Sequence, residues 1–233
     1  MKPIVITIFV FVGIFNMALF ATTAWAGNLH DHFVGTSLNE MWKGDRNHFS
    51  IENGNLVGIS AHPVGTFLRF IYIGNGWTDY TVRCRVNVVQ PNLLICTKGA
   101  LLIRYQKEEG IVPLRKGGQG VVFALHVASQ KVEVYRLSGE YLLSVQTPLE
   151  LKKWYELYAE VKGNQFRFYL DGKEIGNLID AKSSFGAVGV AVEDAMRVLC
   201  DDFSVTGPDV PDIGTSINAR GKMAILWGRL KAQ

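Results

Sequence analysis

Cysteine is scarce in this chain. The 233 residues contain three, none in a C-x-x-C spacing, so no thiolate metal site or redox pair is encoded. Charge of one sign is also missing. The 24 Lys and Arg face 21 Asp and Glu, without a basic block or stripe. That balance excludes the electrostatic footprint of a nucleic-acid partner. Between residues 27 and 206, no stretch repeats its apolar residues at the 3.6-residue helical period. No Ser-His-Asp arrangement, P-loop or nucleotide fingerprint is present either.

What the chain does have is alternation. In residues 154–173 (WYELYAEVKGNQFRFYLDGK), Tyr155, Leu157, Ala159 and Val161 share one face. Trp154, Glu156, Tyr158 and Glu160 share the other. After Gly163-Asn164, Phe166, Phe168 and Leu170 alternate with Gln165, Arg167 and Tyr169, up to a turn at Asp171-Gly172. Period two bounded by such turns predicts antiparallel hairpins with one buried face.

The same pattern predicts strands at 49–51 and 56–59 around Asn53-Gly54, and at 67–73, 80–89, 100–105, 121–127, 131–137, 141–146, 187–192 and 198–205. The segment Lys107 to Gly120, with Gly117 and Gly118, reads as a mobile loop. Many short strands and no helices predict an all-β fold, a two-sheet antiparallel β-sandwich or jelly roll over residues 27–206. Cys84, Cys96 and Cys200 all stand in apolar contexts, which predicts buried thiols. Export permits one disulfide, and the sequence does not choose its pair.

The two ends differ from this domain. Lys2, an apolar run from Ile4 to Phe20 and the small residues of Ala24-Trp25-Ala26 read as a signal peptide, residues 1–26, cleaved after Ala26. The alternative for that run is an uncleaved anchor, since its length approaches the ~18 residues that span a bilayer. Cleavage implies a secreted or periplasmic protein without stable membrane insertion. At the other end, residues 207–212 resemble a linker. The tail after them carries Met223, Ile225, Leu226, Trp227 and Leu230 among basic residues. It packs on the domain or docks an envelope partner, and is too small for a core of its own.

The segments, in order, resemble the concanavalin A-like jelly-roll modules of the laminin-G-like and 3-keto-disaccharide hydrolase type. Residues 49–58 (FSIENGNLVG) are similar to the family's opening W-x-V-x-D-G-x-L-x-G hairpin. Residues 77–82 (WTDYTV), 99–105 (GALLIRY) and 132–137 (VEVYRL) resemble its next strands. Residues 154–172 resemble its W-Y to D-G hairpin, and 186–205, ending DDFSV, its last strands. Residues 221–231 (GKMAILWGRLK) are similar to an ending that follows such modules. The resemblance implies a concanavalin A-like fold over about residues 30–206. It also implies an oligosaccharide or polysaccharide partner, bound or hydrolysed. In related sandwiches an acidic residue before the last strand holds a structural calcium, which points to Asp202 here; no other cofactor is implied.

Between the two activities, the residues favour binding over hydrolysis. Arg83, Arg85, Arg104, Tyr135, Glu156, Tyr158, Arg167 and Tyr169, together with Arg69, are expected on one free sheet face. Tyrosine rings stack on sugar C–H faces, and Arg and Glu make directed hydrogen bonds to hydroxyls. The alternative is an ordinary solvated face of cross-strand ion pairs. Glycosidases need two carboxyls roughly 5 to 10 Å apart. The E-x-D-x-x-E strand of glucanases is absent, and Glu156 and Glu160 are about 13 Å apart on an extended strand. Glu133 can join them only from a neighbouring strand. His126 is expected on the free face, and His30-Asp31-His32 reads as an exposed polar segment lacking a third ligand. The expected function is therefore a secreted, non-catalytic carbohydrate-binding module. The alternatives are a glycoside hydrolase of the 3-keto-disaccharide type and an envelope scaffold.

Overall fold

The computed structural model describes residues 26–60, 68–91, 97–107 and 118–213. The expected leader up to Trp25, His62, Cys96 and the tail from residue 214 lie outside these residues. So does most of the loop expected at Lys107 to Gly120, although Lys107 closes one strand and Gly118 to Gly120 open the next.

In chain order the strands are β1 (Gly27–Asp31), β2 (Lys43–Gly44), β3 (Phe49–Glu52), β4 (Asn55–Gly58), β5 (Leu68–Trp77), β6 (Tyr80–Pro91), β7 (Lys98–Lys107) and β8 (Gly118–His126). They continue with β9 (Lys131–Arg136), β10 (Tyr141–Gln146), β11 (Trp154–Lys162), β12 (Gln165–Leu170), β13 (Lys173–Ile179), β14 (Gly186–Glu193) and β15 (Ala195–Gly207). They form two antiparallel sheets. The first has the order β13-β12-β11-β6-β15-β4-β3, with β1 also paired to β15. The second has the order β10-β9-β8-β7-β14-β5-β2.

The hairpins follow from their turn residues. Asn53-Gly54 and Asp171-Gly172 all have positive φ, as a type I′ turn requires, so β3 pairs with β4 in regular register and β12 with β13 from Leu170 and Lys173, with a bulge between Phe168 and Tyr169. At Gly163-Asn164 only the glycine has positive φ, and Lys162 pairs with Gln165. The expected faces of β11 and β12 hold: Leu157, Ala159, Phe166 and Phe168 are fully buried.

The core lies between the sheets. The first contributes Val82, Cys84, Val86, Leu157, Phe166, Phe168, Cys200 and Phe203; the second contributes Ile71, Leu101, Ile103, Phe123, Val134 and Val190. Phe123 meets Phe168 edge to face across the gap, with centroids 5.1 Å apart. Cys84 and Cys200 are free buried thiols, and burial pushes the Cys84 thiol well up. The stretch expected as a linker starts within the fold, since Val210 is buried in the same core.

Three strands escaped the sequence reading. β1 and β2 are too short to show a period. β13 (KEIGNLI) is an edge strand whose polar and apolar residues do not alternate strictly, with a glycine at its centre.

Candidate functional site

Antiparallel register lines up the outward residues of the first sheet in rows. Glu174, Tyr169, Tyr158, Arg83, Ser204 and His30 are successive cross-strand partners on β13, β12, β11, β6, β15 and β1. At ~4.8 Å per strand, the row is about 24 Å long. The Tyr158 and Tyr169 rings are 5.2 Å apart, and both hydroxyls donate to Glu160, at 3.0 and 3.3 Å. Burial and the Glu160 carboxylate raise the Tyr158 phenol to about 12, so it remains a neutral donor. Arg83 Nε donates to Ser204 Oγ at 2.9 Å. In the next row, Glu156 pairs with Arg85 and Arg85 with Asp201. The Arg85 guanidinium lies 4.9 Å from the centroid of the Trp154 ring. Arg167 extends the face from β12 and borders a hollow of about 320 Å³ with Gln165, Glu174, Asn177 and Ile179.

Of the eight ligand-binding residues expected on one surface, six are there: Arg83, Arg85, Glu156, Tyr158, Arg167 and Tyr169. Two are not, and Arg69 is not either. Arg104 is fully buried. Strand alternation carries Leu102 outward and Ile103 inward, which would point Arg104 out again. Instead Arg104 takes φ +52 at an irregularity in the β7–β8 register, and Tyr105 takes the outward position. Its guanidinium donates to the Ser183 and Thr78 carbonyls and lies over the Phe166 ring, 5.2 Å from its centroid. Tyr135 and Arg69 belong to the second sheet, on β9 and β5. Sequence reading missed the stacking role of Trp154, which only the β11–β6 register reveals.

The outer face of the second sheet carries a buried ionic cluster. Lys98 Nζ is 3.0 Å from Glu193 Oε2 and 3.4 Å from Glu133 Oε2. His126 Nδ1 is 3.2 Å from the same Glu133 oxygen, and Tyr135 donates to Glu193 Oε2 at 2.9 Å. Lys98 also sits 4.5 Å from the Tyr135 ring centroid. Burial opposes charge on both Lys98 and Glu133. For Lys98 the carboxylates of Glu193 and Glu133 outweigh it and raise the ammonium. For Glu133 the contacts from His126 and Lys98 outweigh it and hold the carboxyl below its ordinary range. His126, expected on the free face, lies instead on the outer face of the second sheet, buried within this cluster. Lys98 and Glu193 become partners only through β7–β14 pairing, far apart in sequence, so nothing local marks them.

Asp202 was the expected calcium ligand. It lies near His32 and Asp201, with one donor atom of each within 4.8 Å of the others. This arrangement does not fit calcium. Asp202 Oδ1 is 2.8 Å from His32 Nδ1, and Oδ2 is 3.4 Å from the Arg85 guanidinium. Calcium takes six to eight oxygen ligands, and here an imidazole and a guanidinium occupy the carboxylate. Burial raises the Asp202 carboxyl, but His32 and Arg85 outweigh it and lower it, as in an ion pair.

No protein-family model and no curated protein matches the chain. Solved structures do match it in shape. A carbohydrate-binding module, CBM66, from Bacillus subtilis is 20% identical at a TM-score of 0.60, covering 72% of this chain and 98% of its own. A Bacillus subtilis protein of unknown function with a galectin-like fold is 11% identical at a TM-score of 0.61, covering 78% and 97%. A Bacillus licheniformis β-glucanase is 10% identical at a TM-score of 0.54, covering 78% and 97%. At such identities the likeness establishes fold alone. With the two antiparallel sheets, it makes this chain a β-sandwich jelly roll of the concanavalin A-like kind.

Proposed function

We propose that the chain is an exported carbohydrate-binding module that binds an oligosaccharide or polysaccharide without cleaving it. The observation that carries this reading is the row from Tyr169 through Tyr158 to Arg83 on the outer face of the first sheet. It presents ring faces for sugar C–H surfaces beside guanidinium donors for hydroxyls. Trp154 and Arg85 repeat that combination one row away. Fold neighbours that bind or act on glycans support the reading, as does the signal-like leader.

Electrostatics disfavours a general-acid role for Glu133 and Glu160. A glycosidase needs one carboxyl kept protonated to serve as general acid. Glu133 is instead held ionised, and Glu160 accepts from two phenols. Titration calorimetry with an oligosaccharide panel, followed by product analysis, tests the proposal. Heat of binding without products is expected. No binding to any member by a folded sample would refute it.

One observation favours a second reading, glycoside hydrolysis. Glu133 and Glu193 flank the same Lys98 ammonium, so their Oε2 atoms can be no farther apart than their two distances to it combined. That bound includes the roughly 5–5.5 Å of a retaining pair. The finer assignment, cleavage of a 3-keto-disaccharide, rests on the strand motifs alone. Product release that disappears in Glu133→Gln and Glu193→Gln would establish hydrolysis. An envelope partner for residues 214–233 rests on the tail's basic and apolar composition.

A further inference from the structure

The ionic cluster around Lys98 occupies one end of the second sheet's outer face. At the other end, about seven residues along β7, lies a pocket of about 180 Å³ lined by Lys43, Tyr72, Gly74, Asn75, Tyr105, Lys107 and Ala187. Its wall is aromatic: the Tyr72 and Tyr105 rings are 4.7 Å apart, and Phe70 packs edge to face on Tyr105 at 4.9 Å. Its rim is cationic, because Lys43 on β2 and Lys107 at the end of β7 are both exposed. Neither ammonium has a carboxylate partner among the described residues, and neither tyrosine hydroxyl bonds to one.

Elsewhere Lys98, Arg136, Lys153, Lys182 and Arg197 each hold an acidic partner, while the exposed Lys152, Lys162 and Lys173 hold none among the described residues but border no such pocket. The pocket also depends on a backbone that only glycine supplies. Gly74 has φ +83, and a Cβ there would stand 2.4 Å from the Trp77 ring. Burial and the neighbouring Tyr72 raise the Tyr105 phenol to about 12, leaving it a hydrogen-bond donor at any working pH.

We infer that this pocket binds an acidic sugar residue, a hexuronate or a sulfated hexose, separately from the Tyr158–Tyr169 row. The half-buried Tyr72 ring, backed by the buried Tyr105, takes the sugar's C–H surface, and the Lys43 and Lys107 ammonium groups, without a carboxylate partner among the described residues, take its carboxylate or sulfate. The inference rests on the carbohydrate-binding reading and narrows its ligand class.

The test is calorimetry of the protein with tri-galacturonate, its methyl-esterified neutral counterpart, and a sulfated galactan fragment. Wild type, Lys43→Gln/Lys107→Gln and Tyr158→Ala/Tyr169→Ala are compared. Both lysines are exposed, so the first variant keeps the fold, and circular dichroism checks that. The expected result is that at least one acidic probe binds and is weakened tenfold or more by the lysine change and by added salt. The neutral probe is unaffected by the lysine change. Acidic-probe binding that is unchanged in the lysine variant overturns the inference. Loss confined to the tyrosine variant overturns it too, while leaving the binding module intact. If wild type binds neither these probes nor the wider panel, both readings fall together.

Discussion

Arg136 and Asp180 meet as a two-pronged fork, Nη1 to Oδ2 at 2.6 Å and Nη2 to Oδ1 at 2.9 Å. Arg136 ends β9 in the second sheet, and Asp180 follows β13 at the edge of the first. The fork therefore joins the two layers where no backbone ladder does. Asp180 is almost fully buried, so the pair lies in the setting where losing one partner costs most.

That geometry sets an acid limb to the stability. Burial raises the Asp180 carboxyl, but Arg136 and the Lys182 amide outweigh it and hold it below its ordinary 3.8. A carboxyl depressed in the folded state contributes stability above its unfolded value and loses it as pH falls through the folded value. Glu133, held below 4.5, acts in the same direction. Melting temperature should therefore be flat above about pH 4.5 with respect to these groups and fall below it. Asp180→Asn should melt lower at pH 7 and show a shallower acid limb, as read by calorimetric scans from pH 7 to pH 2.

The β11 alternation yields a stability contrast. Leu157 is fully buried, and Leu157→Ala should cost roughly 2–5 kcal/mol in urea denaturation. Tyr158, one residue away on the outer face, should cost about 1 kcal/mol through its contact with Tyr169. Equal losses would show that the faces are wrongly assigned.

Arg104 belongs to the fold and not to the binding surface. Arg104→Ala leaves the Ser183 and Thr78 carbonyls without their donor, at about 1–3 kcal/mol each. Arg104→Lys should not restore stability, because one ammonium cannot reproduce a guanidinium spanning two carbonyls. Glycan affinity of the folded fraction should stay at the wild-type value.

On the row itself, Tyr158→Ala and Tyr169→Ala should each weaken oligosaccharide binding about tenfold, the scale of one stacking contact at ~1.4 kcal/mol. Glu133→Gln on the opposite sheet should leave that affinity unchanged. Loss of affinity in Glu133→Gln alone would move the site to the second sheet.

The sequence alone determined twelve of the fifteen strands among the described residues, with their turns and inner faces. Period two at Tyr155 to Val161 and the Asn53-Gly54 and Asp171-Gly172 turns act within a few residues, and local chemistry suffices for them. It also put Tyr158, Tyr169, Arg83 and Arg85 facing outward. Only the tertiary structure decided which outward faces share a sheet. Tyr135 and Tyr158 obey the same alternation yet sit on opposite layers, because strand order depends on pairings between segments far apart in the chain. Arg104 was beyond local reading for another reason: a single residue in a left-handed conformation reverses the alternation, and an arginine carries no mark of it. The Lys98–Glu193 pair and the Tyr72–Tyr105 pocket arise in the same way, from side chains that meet only once β5, β7 and β14 lie side by side.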